Sequence, residues 1–203
     1  MVDAAKYLGV TFTSDLRWNQ HISNTTSKAN RTLGFLKRNI RVSSSELKAT
    51  AYKTLVRPLV EFGAAVWDPH TKACINKVEM VQRRAARYVL GRYRNTSSVG
   101  EMLEQLEWET LEERRKYARL AMFYKMTNGL AAINAEKYVT PATTRGTRGG
   151  EEHHYTVPHS RVDYHKFSFF PRTIREWNAL APEVVGAPSL DSFKSKLRGT
   201  RGT

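Results

Sequence analysis

The chain has 203 residues, 40% of them hydrophobic, which is enough to bury a core and argues against disorder throughout. The formal net charge of +14 and the pI near 10.1 favour a polyanionic partner, nucleic acid before membrane, although a merely solvated basic surface is the alternative. The single cysteine, Cys74, excludes an internal disulfide and a cysteine-rich zinc site, and it fits an intracellular setting, nucleus or cytoplasm. No apolar run reaches the ~20 residues that cross a bilayer, and no signal-peptide pattern opens the chain, so no membrane association is expected.

The first predicted element is a short strand. Residues 6–12 are rich in aromatic and β-branched types and lead into a polar turn at 13–15. This opening directly on strand-like sequence indicates a segment of a longer protein. From His21 onward, apolar residues recur at helical spacing and predict a helix that ends near Asn39; they are Ile22, Ala29, Leu33 and Leu36.

A capping pattern predicts the start of the second helix. Ser43 and Glu46 are three residues apart, so each side chain can satisfy a free backbone N–H at a helix start. Leu47, Ala51 and Leu55 form the expected apolar stripe. Pro58 should kink the helix, because its ring removes a donor and crowds the preceding turn.

Three further helices are predicted before residue 130. One covers residues 72–90 and ends at Gly91 in a left-handed cap; a short one covers Val99–Leu106. Thr110 and Glu113 repeat the capping pattern and open a long helix that passes through Leu111, Ala118, Met122 and Met126 and ends at Asn128-Gly129.

The composition changes after Thr140, where residues 140–152 have almost nothing to bury and read as a flexible linker. Beyond it, an aromatic and extended stretch over 155–170 precedes two helices, Arg172–Leu180 with Trp177 and one capped by Ser189 with Phe193 and Leu197. We therefore predict a mainly α fold: a strand or hairpin region in 1–18, a helical domain in 19–139, the linker, and a tail in 153–203 with two short helices.

The helix over 72–90 has two chemically distinct sides. Placed on a helical wheel, one side carries Arg83, Arg84, Arg87 and Lys77, and the other carries Cys74, Val78, Val81, Ala85, Tyr88 and Val89. Arg92 and Arg94 extend the charge, and Tyr88 and Tyr93 lie among the arginines. Guanidinium groups fork onto phosphates and aromatic rings stack on bases, so the pattern favours nucleic-acid binding. The alternative is a solvated face that pairs with Glu79.

A second, more scattered basic group lies on and just after the first predicted helix. A binding role and a solvated surface are equally open for this group, whose members are Lys28, Arg31, Lys37, Arg38 and Arg41.

Catalytic and metal-binding motifs are absent from the sequence. His153, His154, His159 and His165 match no metal-ligand spacing, so we expect polar or nucleic-acid contacts and no metal or cofactor. There is neither a phosphate-binding loop nor a nucleophile elbow, and Cys74 reads as a small buried residue. The expected solvated or turn carboxylates are Glu101, Glu104, Glu107, Glu109, Glu112, Glu113, Asp3, Asp15, Asp68, Asp163 and Asp191.

Ordered blocks along nearly the whole chain resemble the reverse transcriptases of non-LTR retrotransposons, the LINE elements, particularly jockey-like ones. The blocks are Lys6–Val10, Leu16-x-Trp18-x-x-His21-Ile22, Lys28–Arg38, Ala51–Glu61, Val66–Pro69, Glu79–Arg87, Leu111–Arg115, Tyr124–Gly129, Phe169–Leu180 and Ser189–Lys194. One departure is Pro182, which stands one residue later than the proline usual in that family.

The resemblance implies that Tyr7, Leu8, Gly9 and Val10 correspond to the primer-grip hairpin, and that the helices after it form the thumb that holds template-primer RNA and DNA. The catalytic aspartates and the endonuclease of such enzymes lie upstream of the matching segment. We therefore expect a non-catalytic C-terminal part of an RNA-directed DNA polymerase, which an upstream palm and endonuclease part would complete. The alternative is an inert or protein-interaction remnant of a transposon reading frame.

Overall fold

The computed structural model describes residues 3–40, 44–94, 97–142 and 153–199. Over these ranges the fold is mainly α, as predicted, with a two-stranded antiparallel hairpin ahead of the helices. The chain divides into two compact units, Met1–Arg115 and Lys116–Thr203. Residues 116–139, which we assigned to the domain 19–139, contribute instead to the core of the second unit, through Leu120, Phe123, Tyr124 and Val139.

The N-terminal hairpin consists of β1 (Ala4–Tyr7) and β2 (Val10–Thr13), with Tyr7 opposite Val10. Leu8 and Gly9 form the two-residue turn with φ of 44° and 86°. Positive φ at both turn positions gives the twist that joins antiparallel strands. The hairpin confirms the strand or hairpin region predicted for the start of the chain. The strand predicted over 6–12 is interrupted at Leu8 and Gly9, because a leucine at positive φ gives no turn signal in the sequence.

Helix α1 (Asn19–Asn39) buries Ile22, Ala29, Leu33 and Leu36, which confirms the predicted stripe. The buried His21 near its start connects it to the hairpin. The Thr11 backbone N–H donates to Nδ1 of His21 at 3.1 Å, and Nε2 lies 3.4 Å from the Thr25 hydroxyl. Since Nδ1 accepts, the neutral tautomer with a proton on Nε2 fits both contacts.

The segment after α1 is broken into short pieces. Helix α2 (Ser45–Ala51) is capped by Ser44, whose hydroxyl accepts from the Leu47 N–H, while the predicted cap Ser43 lies outside the described residues. A π-helical turn (Tyr52–Val56) then leads into α3 (Arg57–Glu61), with Pro58 in its first turn, and Gly63 separates α3 from α4 (Ala64–Trp67). The break near Pro58 was thus predicted correctly.

The predicted apolar stripe of this segment was wrong at two of its three positions. Ala51 is buried, but Leu47 and Leu55 are about half exposed, and the rest of the buried side carries Tyr52, Val56 and Val60. The sequence offers both stripes at helical spacing, and contacts with distant residues decide between them: the Tyr52 hydroxyl donates to the Gln82 side chain at 3.0 Å, and the Tyr52 ring stacks on Trp108.

The remaining helices of the first unit end where the sequence predicted. Helix α5 (Lys72–Leu90) stops at Gly91 with φ of 66°, and α6 spans Val99–Gln105. At the start of α7 (Leu111–Thr127), the Thr110 hydroxyl accepts from the Glu113 N–H and the Glu113 carboxylate accepts from the Thr110 N–H, both at 3.2 Å. This reciprocal pair is the predicted capping box.

The second unit is built on the C-terminal half of α7. Its described elements are a 3₁₀ turn (Ala135–Lys137), α8 (Asp163–Lys166), α9 (Phe169–Asn178), α10 (Pro182–Val185) and α11 (Leu190–Gly199). The tail therefore contains four short helices where we predicted two. Most of the predicted linker, residues 143–152, lies outside the described residues. Among the described helices, none combines the length and the apolar character needed to cross a membrane.

Gly63→Ala should destabilise the first unit more than Gly91→Ala, although both glycines have φ near +65°. Each substitution costs about 1 kcal/mol for the left-handed backbone. A Cβ on Gly63 would also lie 3.3 Å from a methyl of the buried Val10, whereas a Cβ on Gly91 meets nothing within 4 Å. The extra overpacking should bring the cost to roughly 2–3 kcal/mol. Urea unfolding followed by tryptophan fluorescence measures the difference, and equal midpoints would contradict it.

His21 should make the stability of the first unit fall in mild acid. Burial lowers the pKa of His21 below its usual 6.5, so the folded state binds fewer protons than the unfolded state. The free energy of unfolding should therefore decrease as the pH falls from 6.5 through the lowered pKa. His21→Gln should flatten this dependence, because its amide oxygen can still accept from Thr11 without titrating. The measurement is the urea midpoint at a series of pH values, and His165→Gln, at an exposed histidine, is the control. An unchanged pH dependence of stability in His21→Gln would refute the prediction.

Candidate nucleic-acid interface

Helices α1 and α5 pack against each other in the first unit and turn their polar sides outward. The buried side of α5 carries Val78, Val81, Ala85, Ala86, Tyr88 and Val89, which share one core with the buried side of α1. The apolar half of the predicted helical wheel is thereby confirmed apart from Cys74. That residue is only half buried, and its thiol donates to the Asn19 side chain at 3.0 Å.

The cations of α5 lie on its outer side without carboxylate partners. Arg84 is exposed, and Arg83 and Arg87 are half buried. Arg92 and Arg94 follow the helix in exposed positions. Within the described ranges, none of these five arginines has a carboxylate oxygen within 4 Å of its guanidinium nitrogens.

The one carboxylate of α5 is directed away from this outer side. Glu79 is buried, and its Oε1 accepts the backbone N–H of Glu112 at 2.8 Å, in the first turn of α7. A carboxylate in this position satisfies one free donor and interacts favourably with the positive end of the helix dipole. Arg83 feels the Glu79 charge at longer range, without an ion pair. The alternative interpretation, a solvated face neutralised by Glu79, therefore lacks its main contact.

The two predicted basic groups meet where α1 crosses α5. Arg84 donates from Nη1 to the Asn30 side chain of α1 at 3.0 Å. Burial, and then the nearby positive charge of Arg84, lower the pKa of Lys37 on α1. Like charges held this close with no carboxylate between them create a local positive potential that favours a bound anion. Neither Asn30 nor the closeness of Lys37 to Arg84 was predicted.

The two tyrosines near the arginines differ in accessibility. Tyr88 is buried, and its hydroxyl donates to the Ile40 carbonyl at 3.0 Å and lies 3.3 Å from that of Leu36. The predicted role of Tyr88 in contacting nucleic acid was therefore wrong. On the helical wheel Tyr88 lies on the apolar side next to the cations, and the wheel cannot show that α1 covers it. Tyr93 is 59% exposed.

Lysine side chains lie over both rings. Lys37 Nζ is 5.8 Å from the Tyr93 ring centroid and 6.0 Å from that of Tyr88. The Nζ of Lys48 on α2 lies 5.5 Å from the Tyr88 ring centroid. Lys48 was not among the predicted binding residues. These distances fit cation–π contacts, which hold the lysines beside the arginines of α5.

The other predicted members of the second basic group, apart from Arg41, also lie on α1. Lys28, Arg31 and Arg38 are exposed on this helix, and Arg41 lies outside the described residues. Helix α1 contains no aspartate or glutamate at all. We use the name cationic surface for Lys28, Arg31, Lys37 and Arg38 of α1 together with Arg83, Arg84, Arg87, Arg92 and Arg94.

The primer-grip-like residues form the tip of the hairpin. Tyr7 and Leu8 are 68% and 75% exposed, whereas Val10 is buried. At Gly9 a Cβ would lie 3.0 Å from the ring of Phe62, in the turn between α3 and α4. The tip is thus seated on that turn and presents two apolar side chains to solvent.

Several carboxylates that we expected to be solvated have partners instead. Asp68 is buried and accepts from Nε of Arg115 at 2.8 Å. Glu109 and Glu113 are half buried, one near Arg114 and the other in the capping box. Arg119 is also buried and pairs with Glu176 of α9.

The positions of Arg115 and Arg119 in the sequence indicate that both side chains are buried. Arg115 and Arg119 stand at four-residue spacing between Leu111 and Phe123, on the apolar stripe of α7. Arginines on such a stripe require buried acidic partners, because an unpaired charge in a core is costly.

No group of three or more His, Cys, Asp or Glu side chains in the described part of the chain could hold a metal ion. The four histidines of 153–165 are partly or fully exposed, and His165 bonds to Ser160 at 2.8 Å. Comparisons of the chain with protein-family models, curated proteins and solved structures give no match in any of the three.

Glu79→Gln should remove a pH dependence of stability that has the opposite sign to that of His21. Burial raises the pKa of Glu79 despite its bond to the Glu112 N–H, so the folded state binds more protons than the unfolded state. The free energy of unfolding should therefore decrease as the pH rises from 4.5 through the raised pKa. The glutamine can still accept from Glu112 but cannot titrate. The measurement is urea unfolding at a series of pH values upward from 4.5, and the exposed Glu104→Gln is the control. Identical pH profiles of stability for Glu79→Gln and wild type would contradict the prediction.

Proposed function

We propose that this chain is a thumb-like, non-catalytic part of a non-LTR retrotransposon reverse transcriptase, and that its cationic surface holds template-primer nucleic acid. The observation that carries the proposal is the outer side of α5, where Arg83, Arg84 and Arg87 have no ion-pair partner among the described residues and Glu79 is bonded to the start of α7. The ordered sequence blocks that resemble this family supply the enzyme class.

The charge of the two helices supports a phosphate-binding role. Helix α1 carries four cations and no carboxylate, and α5 carries five cations and the buried Glu79. A solvated helix usually intersperses both signs, which lowers the cost of self-repulsion. Within these two helices one buried carboxylate stands against nine cations, and a sugar-phosphate strand would supply negative charge.

The form of the surface supports sequence-tolerant binding. Seven of its nine cations lie on two helices packed side by side, and Arg92 and Arg94 directly follow the end of α5, so most of them are spaced along rigid elements. Arginine and lysine contacts to phosphates position a duplex but carry no base information. We therefore assign to this surface the grip on the duplex and no selection of its sequence.

The hairpin tip is proposed to contact the primer strand near its growing end. Tyr7 and Leu8 are exposed at the tip of the hairpin, and the turn residue Gly9 packs closely against the Phe62 ring. Exposed apolar side chains on a supported turn can pack against sugars and terminal bases. In this proposal the chain makes and breaks no covalent bond, and the polymerase chemistry belongs to a palm that would precede it.

Replacing Arg83, Arg84, Arg87, Arg92 and Arg94 by glutamine should flatten the salt dependence of binding to a blunt RNA–DNA hybrid. Each lost phosphate contact lowers the slope of log K against log salt by about 0.9, between about 50 and 200 mM salt. Fluorescence anisotropy with a labelled hybrid is the measurement. The control replaces five exposed cations elsewhere with the same loss of charge: Lys6, Lys53, Lys116, Arg161 and Arg175.

A flatter slope in the first variant alone supports the proposal, and equal slopes in both variants would show that only net charge matters. Gel shifts with RNA, DNA and hybrid at physiological salt test the alternative of an inert or protein-interaction remnant. Absence of a retained complex with all three would favour the remnant and overturn the proposed function.

A further inference from the structure

The exposed Tyr93 lies at the end of the cationic surface, and its position is fixed by the cap of α5. Gly91 turns the chain in a left-handed conformation, and the Arg92 backbone N–H donates to the Arg87 carbonyl at 3.1 Å. This bond closes the C-terminal cap and holds the backbone immediately before Tyr93. Tyr93 therefore lies two residues beyond the cap residue Gly91, at the start of the segment that leads to α6.

One face of the Tyr93 ring is covered by an ammonium group. Lys37 Nζ lies over the ring at 5.8 Å from its centroid. In the part of the chain that the structure describes, no second ring is stacked on Tyr93 and no other cation lies over it. Tyr93 as a whole residue is 59% exposed, which leaves ring surface accessible to a ligand.

The neighbours of Tyr93 in the sequence are both exposed arginines, Arg92 and Arg94. An exposed aromatic ring with exposed cations next to it in the sequence suits single-stranded nucleic acid, since phosphates can contact the cations while a base stacks on the ring. A base inside a duplex has both faces covered by its neighbours, so it cannot stack on a side chain.

We propose that Tyr93 is a stacking position for an unpaired base of a strand whose phosphates contact Arg92 and Arg94. This inference rests on the proposed function and adds the form of the ligand to it: a duplex gripped by α1 and α5 that continues as a single strand past the end of α5. Lys37 is a positioning residue in this arrangement, because it holds the ring from its covered face.

The test compares two ligands on the full chain: a blunt RNA–DNA hybrid, and the same hybrid with a single-stranded RNA extension. Tyr93→Ala should weaken binding of the extended hybrid by about fivefold to a hundredfold and leave the blunt hybrid within error of wild type. Tyr93→Phe should bind both like the wild type, because it keeps the stacking ring. Tyr164→Ala is the matched control, since Tyr164 is 60% exposed and lies on α8, outside the cationic surface.

A second measurement uses the unaltered protein. An extension that carries 5-iodouracil should crosslink on irradiation to the peptide that contains Tyr93, since this base reacts preferentially with an aromatic ring stacked on it. Crosslinks confined to other peptides would overturn the proposal, as would an equal loss of affinity for both hybrids in Tyr93→Ala, or no loss for either. If Tyr93→Ala has no effect while the five-arginine variant still flattens the salt slope, the stacking proposal fails and the proposed function stands. If neither hybrid binds at all, both fail.

Discussion

Helices α1 and α5 bury their apolar sides against each other, and this packing holds the cations on their outer sides at fixed spacing. The Tyr88 hydroxyl strengthens the contact by donating to the carbonyl of Ile40, just past the last turn of α1. Arg84 joins the same two helices from the solvent side through Asn30. Flexible cations on a mobile segment would lose conformational entropy on binding, whereas cations on packed helices lose less.

The position of Glu79 removes the one carboxylate of α5 from the cationic surface. Its carboxylate stands four residues from Arg83, a spacing at which a salt bridge on a helix surface would be ordinary. The bond to the Glu112 N–H stabilises the start of α7 and leaves the arginines without that partner.

Arginine serves two separate purposes in this chain. Arg115 in the first unit and Arg119 in the second are buried and paired with Asp68 and Glu176, so their charges are compensated within the protein. Replacing one partner of such a pair leaves a buried charge and costs more than an exposed pair would. Each of these pairs adds zero to the net charge of +14, so the excess positive charge belongs to other lysines and arginines.

Local signals in the sequence determined the helix ends, since Gly91 and the Thr110–Glu113 pair satisfy backbone groups within a few residues. The same local periodicity determined which sides of α1 and α5 are apolar, and hence where most of the cationic surface lies. Only the tertiary structure decided the rotation of the segment around Pro58, the burial of Tyr88, and the partners of Glu79, Arg115 and Arg119. Each of these depends on residues about 30 or more positions apart, and helical spacing carries no information about which distant group will fill a given position in the core.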